Sequence, residues 1–312
     1  MPSHPQDPIV LLGPLPLVSF CGGERPVVSG FRRALAEGRG AAHVDRAEAL
    51  GLPRAASPQV KALVGWLVDR GGGDVIVPVP GILTDHRAAL SALPSSWTIR
   101  LLPLVAEDPA ACAAGLRRVT AGRPPPQEDS RKAFRILEVI LREQERGARP
   151  TDRVAAWLRS LLEPGPLEDP EPEASLGGRV PLLALGPWTL FEDLPREVEV
   201  LGGRVVWDEW GAQGATLARA EDGPAGLASW PALDPLRRLA MIHAALRRTG
   251  ARGVVLVMEA FTGELLDELW LRRHLEVPLL ALEVEAPGPM DPARRLRLEA
   301  FLRVVSGGGG RG

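Results

Sequence analysis

Apolar positions along this chain fall into two kinds of segment, short continuous runs and longer stretches with a helical repeat, and the two alternate. IVLLG (9–13) is a short apolar run closed by Gly and Pro, which suits a buried strand. A helical pattern lies near Phe31–Glu37. In Ser57–Asp74, the side chains of Val60, Leu63, Val64, Leu67 and Val68 share one helical face. Ser57 is suited to the N-cap, Pro58 to the first turn and Gly71–Gly73 to the stop. DVIVPVP (74–80) then reads as a buried parallel strand, His86–Leu93 as a helix, TIRLLPLVA (98–106) as a strand and Pro109–Val119 as a helix.

The alternation stops at RPPPQED (123–129). Two amphipathic helices are predicted next, Ser130–Arg146 and Thr151–Leu162, and then an acidic, proline-rich linker at 163–178. The alternation resumes with VPLLALG (180–186), a helix over Leu190–Leu201, and RVVWDEWG (204–211). A helix over Asp234–Thr249 precedes GVVLVMEAF (253–261), the most strongly strand-like run in the chain. A helix over Gly263–Leu275, a strand over 277–285 and a helix over Pro292–Val305 complete the pattern. It predicts an α/β protein of two Rossmann-like parallel-sheet domains, residues 1–122 and 176–305. A helical segment with an acidic Pro-rich linker (123–175) joins them, and residues 306–312 read as a disordered tail.

Length and charge narrow the function. A chain of 312 residues, 45% hydrophobic, can fill two cores. Its 37 basic and 39 acidic residues are interspersed and leave a formal net charge of −2, so the sequence presents no basic face for nucleic acid. No apolar run approaches the roughly 20 residues of a membrane helix. The N-terminal stretch lacks a basic region and is broken by prolines, so a cytoplasmic protein is expected. Cys21 and Cys112 are far apart and read as thiols in a reducing compartment.

Common catalytic signatures are missing. There is no GxGxxG after a strand, no GxxxxGK followed by Ser or Thr, no HExxH and no GxSxG. His4, His43, His86, His243 and His274 lack metal-ligand spacing and read as surface or structural residues. What remains is position, because open α/β sheets bind ligands beyond the carboxyl ends of their strands. Three such ends carry unusual residues: Gly81–Asp85, Asp208–Gln213 and Glu259–Gly263. Asp208, Glu209 and Glu259 are candidate general acids or bases. The alternative reading makes them helix-start carboxylates facing solvent.

Residues 180–305 resemble the 2-hydroxyacyl-CoA dehydratase D-component family, which includes benzoyl-CoA reductase subunits. The likeness lies in VPLLALGPWTLFEDLPREVEVLGGRVVWDEWGAQGAT, GARGVVLVMEAFTGELLDEL, EVPLLALEVEAPGP and RRLRLEAFLRVV, in that order. In the first half, SPQVKALVGWLVD, DVIVPVPGILTDHRAAL and RKAFRILEVILREQERGARPTDRVAAW are similar to family segments. The resemblance implies two α/β domains around an acyl-CoA cleft, and a [4Fe-4S] cluster held by cysteines from three places. Those places correspond here to Ser57, to the stretch Gly81, Ile82, Leu83 and Thr84, and to Thr262. None is a cysteine, and cluster irons are normally held by thiolates. Cys21 and Cys112 match none of the three.

The resemblance therefore implies a chain that binds no cluster by itself. The first reading is an accessory or degenerate subunit beside a homologous cluster-bearing subunit, or in a homodimer. The second is a non-redox enzyme that binds an acyl-CoA and uses the inter-domain carboxylates. The third is a stand-alone binding or regulatory protein. On all three readings Ser57, residues 81–84, Asp208–Gly211 and Glu259–Thr262 are expected to converge on one cleft.

Overall fold

The structure is a computed structural model that describes residues 9–10, 39–80, 93, 95–104, 108, 110–111, 114, 178–186, 190–191, 193–209, 212, 234–260 and 264–307. The helices expected at Phe31–Glu37, Ser130–Arg146 and Thr151–Leu162 lie outside those residues. So do nearly all of the helix expected at His86–Leu93 and the whole of the segment 123–175.

In the N-terminal part, β1 (Ile9–Val10), β2 (Gly73–Pro80) and β3 (Trp97–Leu104) form a parallel sheet in the order β1-β2-β3. Val75 of β2 is paired with both Ile9 and Ile99. Helix α1 (Gly40–Ala49) was not evident from the apolar pattern; it has no side-chain N-cap bond and rests on Val44 and Ala47, both buried. Helix α2 (Pro58–Arg70) starts and stops as expected. The Ser57 hydroxyl accepts from Val60 N at 3.2 Å, and Gly71 ends the helix in the left-handed region at φ 86°. The two helices approach closely, because a Cβ on Gly65 would overlap the His43 carbonyl.

The C-terminal part is a parallel four-stranded sheet: β4 (Val180–Leu185), β5 (Gly203–Asp208), β6 (Gly253–Glu259) and β7 (Leu279–Val284), in the order β5-β4-β6-β7. Its strands are continuous apolar runs because both faces are covered. On one face, α3 (Leu194–Val200) and α6 (Pro292–Gly307) bury Leu194, Val198, Leu298 and Leu302 against Leu182, Ala184, Val255 and Val257. On the other, α4 (Pro235–Thr249) and α5 (Glu264–His274) bury Ile242, Ala245 and Leu271 against Leu183, Leu185, Val254 and Leu256. Alternate strand residues thus serve opposite cores. β5 departs from this: its register against β4 shifts between Leu182 and Leu183, so Val206 and Trp207 both lie on the α4–α5 side.

α3 is shorter than the predicted 190–201. α6 is longer than predicted and takes in Ser306 and Gly307, the first two residues of the expected tail. The Ser306 hydroxyl donates to Arg303 O at 2.9 Å, and Arg252 Nη2 donates to Ser306 O at 3.2 Å, which ties down the last turn. Among the described residues, no helix is long and apolar enough to cross a membrane. The fold is α/β, with a parallel four-stranded sheet sandwiched between helices.

Candidate functional site

β4 is where the chain reverses its direction across the sheet. β5 is laid to one side of it, β6 and β7 to the other. The connection after β4 leads to α3 on one face, and that after β6 leads to α5 on the opposite face. The carboxyl ends of β4 and β6 therefore flank the topological switch point, the place at which open parallel sheets bind ligands.

Gly186 follows β4 at φ +72°, and a Cβ there would overlap the carbonyl oxygen of Val257 on β6. Only glycine suits both demands. Its N–H donates to Glu209 Oε2 at 2.9 Å, joining the end of β4 to the end of β5.

Asp208 and Glu209 are 1% and 2% exposed, so neither is a solvent-facing carboxylate. Arg238 of α4 grips Glu209 with two nitrogens, Nε on Oε1 and Nη2 on Oε2, the latter at 2.9 Å. Its Nη1 donates to Asp267 of α5. Burial works against the Arg238 charge, but Glu209 and Asp267 more than offset it and hold the guanidinium above its ordinary range. Glu209 is thereby committed to a cation and to a backbone amide, and it ties the ends of β4 and β5 to α4.

Glu259, the last residue of β6, is placed differently. Its Oε2 accepts from the Ser57 hydroxyl and, at 3.2 Å, from the Gln59 amide. Both donors belong to the start of α2, some 200 residues away. Burial pushes the Glu259 carboxyl above its ordinary value of 4.5, against the pull of these two hydrogen bonds. A half-buried carboxyl with a raised pKa is suited to holding and releasing a proton.

Of the residues expected to converge, Ser57 and Glu259 are in contact, and Asp208 and Glu209 end the strand on the far side of β4. Gly81, Ile82, Leu83, Thr84 and Thr262 lie outside the described residues, as do Cys21 and Cys112. No protein-family model matches the chain, and no curated protein matches it. The site is therefore read from its own geometry.

Among the described residues, no group of three or more His, Cys, Asp or Glu side chains is placed to share a metal ion. Ser57 caps α2 through its hydroxyl, which also donates to Glu259.

His43, His243 and His274 are in structural settings. His43 is buried with Nδ1 3.2 Å from Asp69. His243 Nε2 donates to the His274 carbonyl at 2.9 Å, and His274 Nδ1 donates to the Trp270 carbonyl at 2.7 Å. Reading the sequence missed Arg238 and Asp267, which make Glu209 structural. It also missed Lys61, 2% exposed, whose ammonium donates to Glu48 Oε1 at 2.8 Å and to Arg54 O at 2.9 Å. A charge on an otherwise apolar helix face was the available signal for Lys61. For Arg238 the local sequence held none, since Arg237 beside it looks the same.

Proposed function

We propose that this chain is an accessory or degenerate member of the 2-hydroxyacyl-CoA dehydratase and benzoyl-CoA reductase group. It would consist of two Rossmann-like parallel-sheet domains joined by a helical segment. It would bind no cluster by itself and work beside a homologous cluster-bearing subunit or a second copy. The observation that supports this reading is the Ser57–Glu259 hydrogen bond. It brings the first of the three positions that correspond to cluster ligands against the strand that leads, three residues on, to the third, Thr262. A chance resemblance gives no reason for positions 57 and 259 to meet.

No electron-transfer step follows for this chain, because Ser57 and Thr262 carry hydroxyls where such a step needs thiolates. What the chain's own residues offer is shape and a proton. Glu209, locked by Arg238, holds the turn after β4, and Glu259 holds a proton more tightly than a free glutamate does. That second property favours the non-redox alternative, an acyl-CoA-binding enzyme in which Glu259 acts as general acid or base.

The test uses the isolated chain, purified without oxygen after incubation with iron and sulfide. The expected protein is colourless with iron far below stoichiometric. The variant Ser57→Cys, Leu83→Cys, Thr262→Cys is expected to gain charge-transfer absorbance near that of a cluster. Stoichiometric iron and sulfide in the unmodified chain would reverse the degenerate assignment. Calorimetric titration with a panel of acyl-CoA thioesters separates the two readings. A non-redox enzyme binds one of them alone, and an accessory subunit does so only with its partner.

A further inference from the structure

α1 has little to hold it as a helix by itself. It runs for 10 residues, with no side-chain N-cap bond and no acidic residue in its first turn. Helices shorter than about 12 residues are marginal in water on their own. Its place is set by α2, whose Gly65 admits the His43 backbone. Among the described residues, three polar contacts tie its side chains to α2. His43 Nδ1 meets Asp69 at 3.2 Å, Arg46 meets the other oxygen of Asp69 at 3.0 Å, and Glu48 meets the buried Lys61 ammonium at 2.8 Å.

These contacts respond differently to acid. The Lys61 hydrogen bond holds the Glu48 carboxyl below its ordinary range, so the last turn of α1 stays paired. His43 is the opposite case. Its ring is buried, Nδ1–H donates to Asp69, and Nε2 is buried with no hydrogen-bond partner. In the neutral ring that nitrogen is a bare lone pair. Protonation places an N–H there with no acceptor, which is costly for a buried, charged group. Among the described residues, the charged groups facing the ring do not offset this. Asp69 is 41% exposed and already shared with Arg46, and Arg39, just before α1, is a like charge. Burial is the largest influence, and the imidazole is held below its ordinary 6.5.

We propose that the His43–Asp69 contact is an acid-released catch: protonation of His43 lets the first two turns of α1 leave α2 around Gly65, while the Glu48–Lys61 pair keeps the last turn in place as a hinge. The ring then reaches water, where it keeps its proton. Short segments with few buried side chains open before the cores of a fold do, so release does not require global unfolding. The inference does not depend on what the switch point binds.

Hydrogen exchange on the full chain between pH 8 and pH 5 tests it, each rate being divided by that of an unstructured peptide at the same pH. An opening that frees His43 takes up a proton between 6.5 and the lowered folded value. Protection over Val44–Arg46 is expected to fall by up to about tenfold per pH unit below 6.5 and then to level off. The Gly51 N–H, bonded to the Glu48 carbonyl at 2.9 Å, lies beyond the hinge and is expected to show no such fall. Val254–Val257 of β6 are expected to stay at least about tenfold better protected at every pH. His43→Gln still donates to Asp69 but has no proton to titrate, so its protection over Val44–Arg46 is expected to be flat with pH. Parent-like protection of β6 at pH 8 shows that this variant is folded. Asp69→Asn removes the carboxylate that pulls the ring's pKa upward, and the levelling-off is expected to move to lower pH. A purely packing role for His43 would leave it where it was. The inference is overturned if the fall persists in His43→Gln, if Gly51 follows the same profile, or if α1 and β6 are equally protected, which would make release the same event as global unfolding.

Discussion

The ends of β5 and β6 each carry a glutamate, and the two carboxylates are held by opposite means. Glu209 meets a guanidinium in bidentate geometry and a backbone amide, and the guanidinium continues to Asp267. Glu259 meets a hydroxyl and a backbone amide from a distant helix. In the first case the two carboxylates around Arg238 more than offset the burial of its charge. Neutral donors compensate less, so burial raises the pKa of Glu259. Of two residues that look alike in sequence, one is built into the frame and the other keeps a proton in play.

Breaking the frame gives the largest effect. Arg238→Ala leaves Glu209 buried without its cation, and Glu209→Ala leaves Arg238 with Asp267 alone and takes the acceptor from Gly186 N–H. Each is expected to cost about 3–5 kcal/mol in urea unfolding. The pair Arg238→Met with Glu209→Leu is expected to recover much of that loss, since an apolar pair of similar volume needs no solvation. A Glu209→Ala cost below about 1 kcal/mol, the range of an exposed pair, would mean that Glu209 is not built into the frame.

Gly186 connects the two ends, so it comes next. Alanine there must hold φ near +72° and place its Cβ against the Val257 carbonyl. The backbone strain alone is expected to cost about 1–3 kcal/mol, read as a lowered melting temperature. The overlap pushes β4 and β6 apart at their carboxyl ends, so faster hydrogen exchange is expected over Val257–Glu259. A neutral Gly186→Ala substitution would show that this turn is not pinned by the sheet.

Much of this frame was legible beforehand, for local reasons. Ser57, Pro58 and Gly71 bracket α2 because capping and a left-handed stop are properties of single residues. The strands at 180–185, 253–259 and 279–284 are continuous apolar runs, and such runs mark strands buried on both faces. Helix α1 was missed because its buried face is Gly40, His43, Val44 and Ala47, which leaves a weak apolar repeat between charged residues. Strand ends named Asp208, Glu209 and Glu259 as candidates, but no local pattern could say which was neutralised by a cation. Arg238 lies 29 residues from Glu209, and topology alone brings them together. Ser57 and Glu259 are separated by 202 residues; their meeting was an expectation of the family resemblance and not of any spacing.

The smallest effect sharpens the comparison furthest, because it turns on the proton itself. Glu259 has a folded-state pKa above 4.5, so between 4.5 and that raised value the folded chain holds a proton that the unfolded chain has lost. Its contribution to stability is full below 4.5 and is lost as pH rises through the folded value. His43 acts with the opposite sign. Burial lowers its pKa from 6.5; Asp69 pulls it upward and Arg39 pushes it down, while Arg46 holds the far side of Asp69. Its contribution is full above 6.5 and is lost as pH falls through the lowered value. Urea unfolding of the parent, Glu259→Gln and His43→Gln across pH 4–8 separates the two groups. The parent is expected to gain on Glu259→Gln as pH falls toward 4.5, and to lose on His43→Gln as pH falls below 6.5. A difference between parent and Glu259→Gln that stays flat over the whole range would mean that Glu259 titrates as it does in the unfolded chain, and the contrast between the two strand ends would disappear.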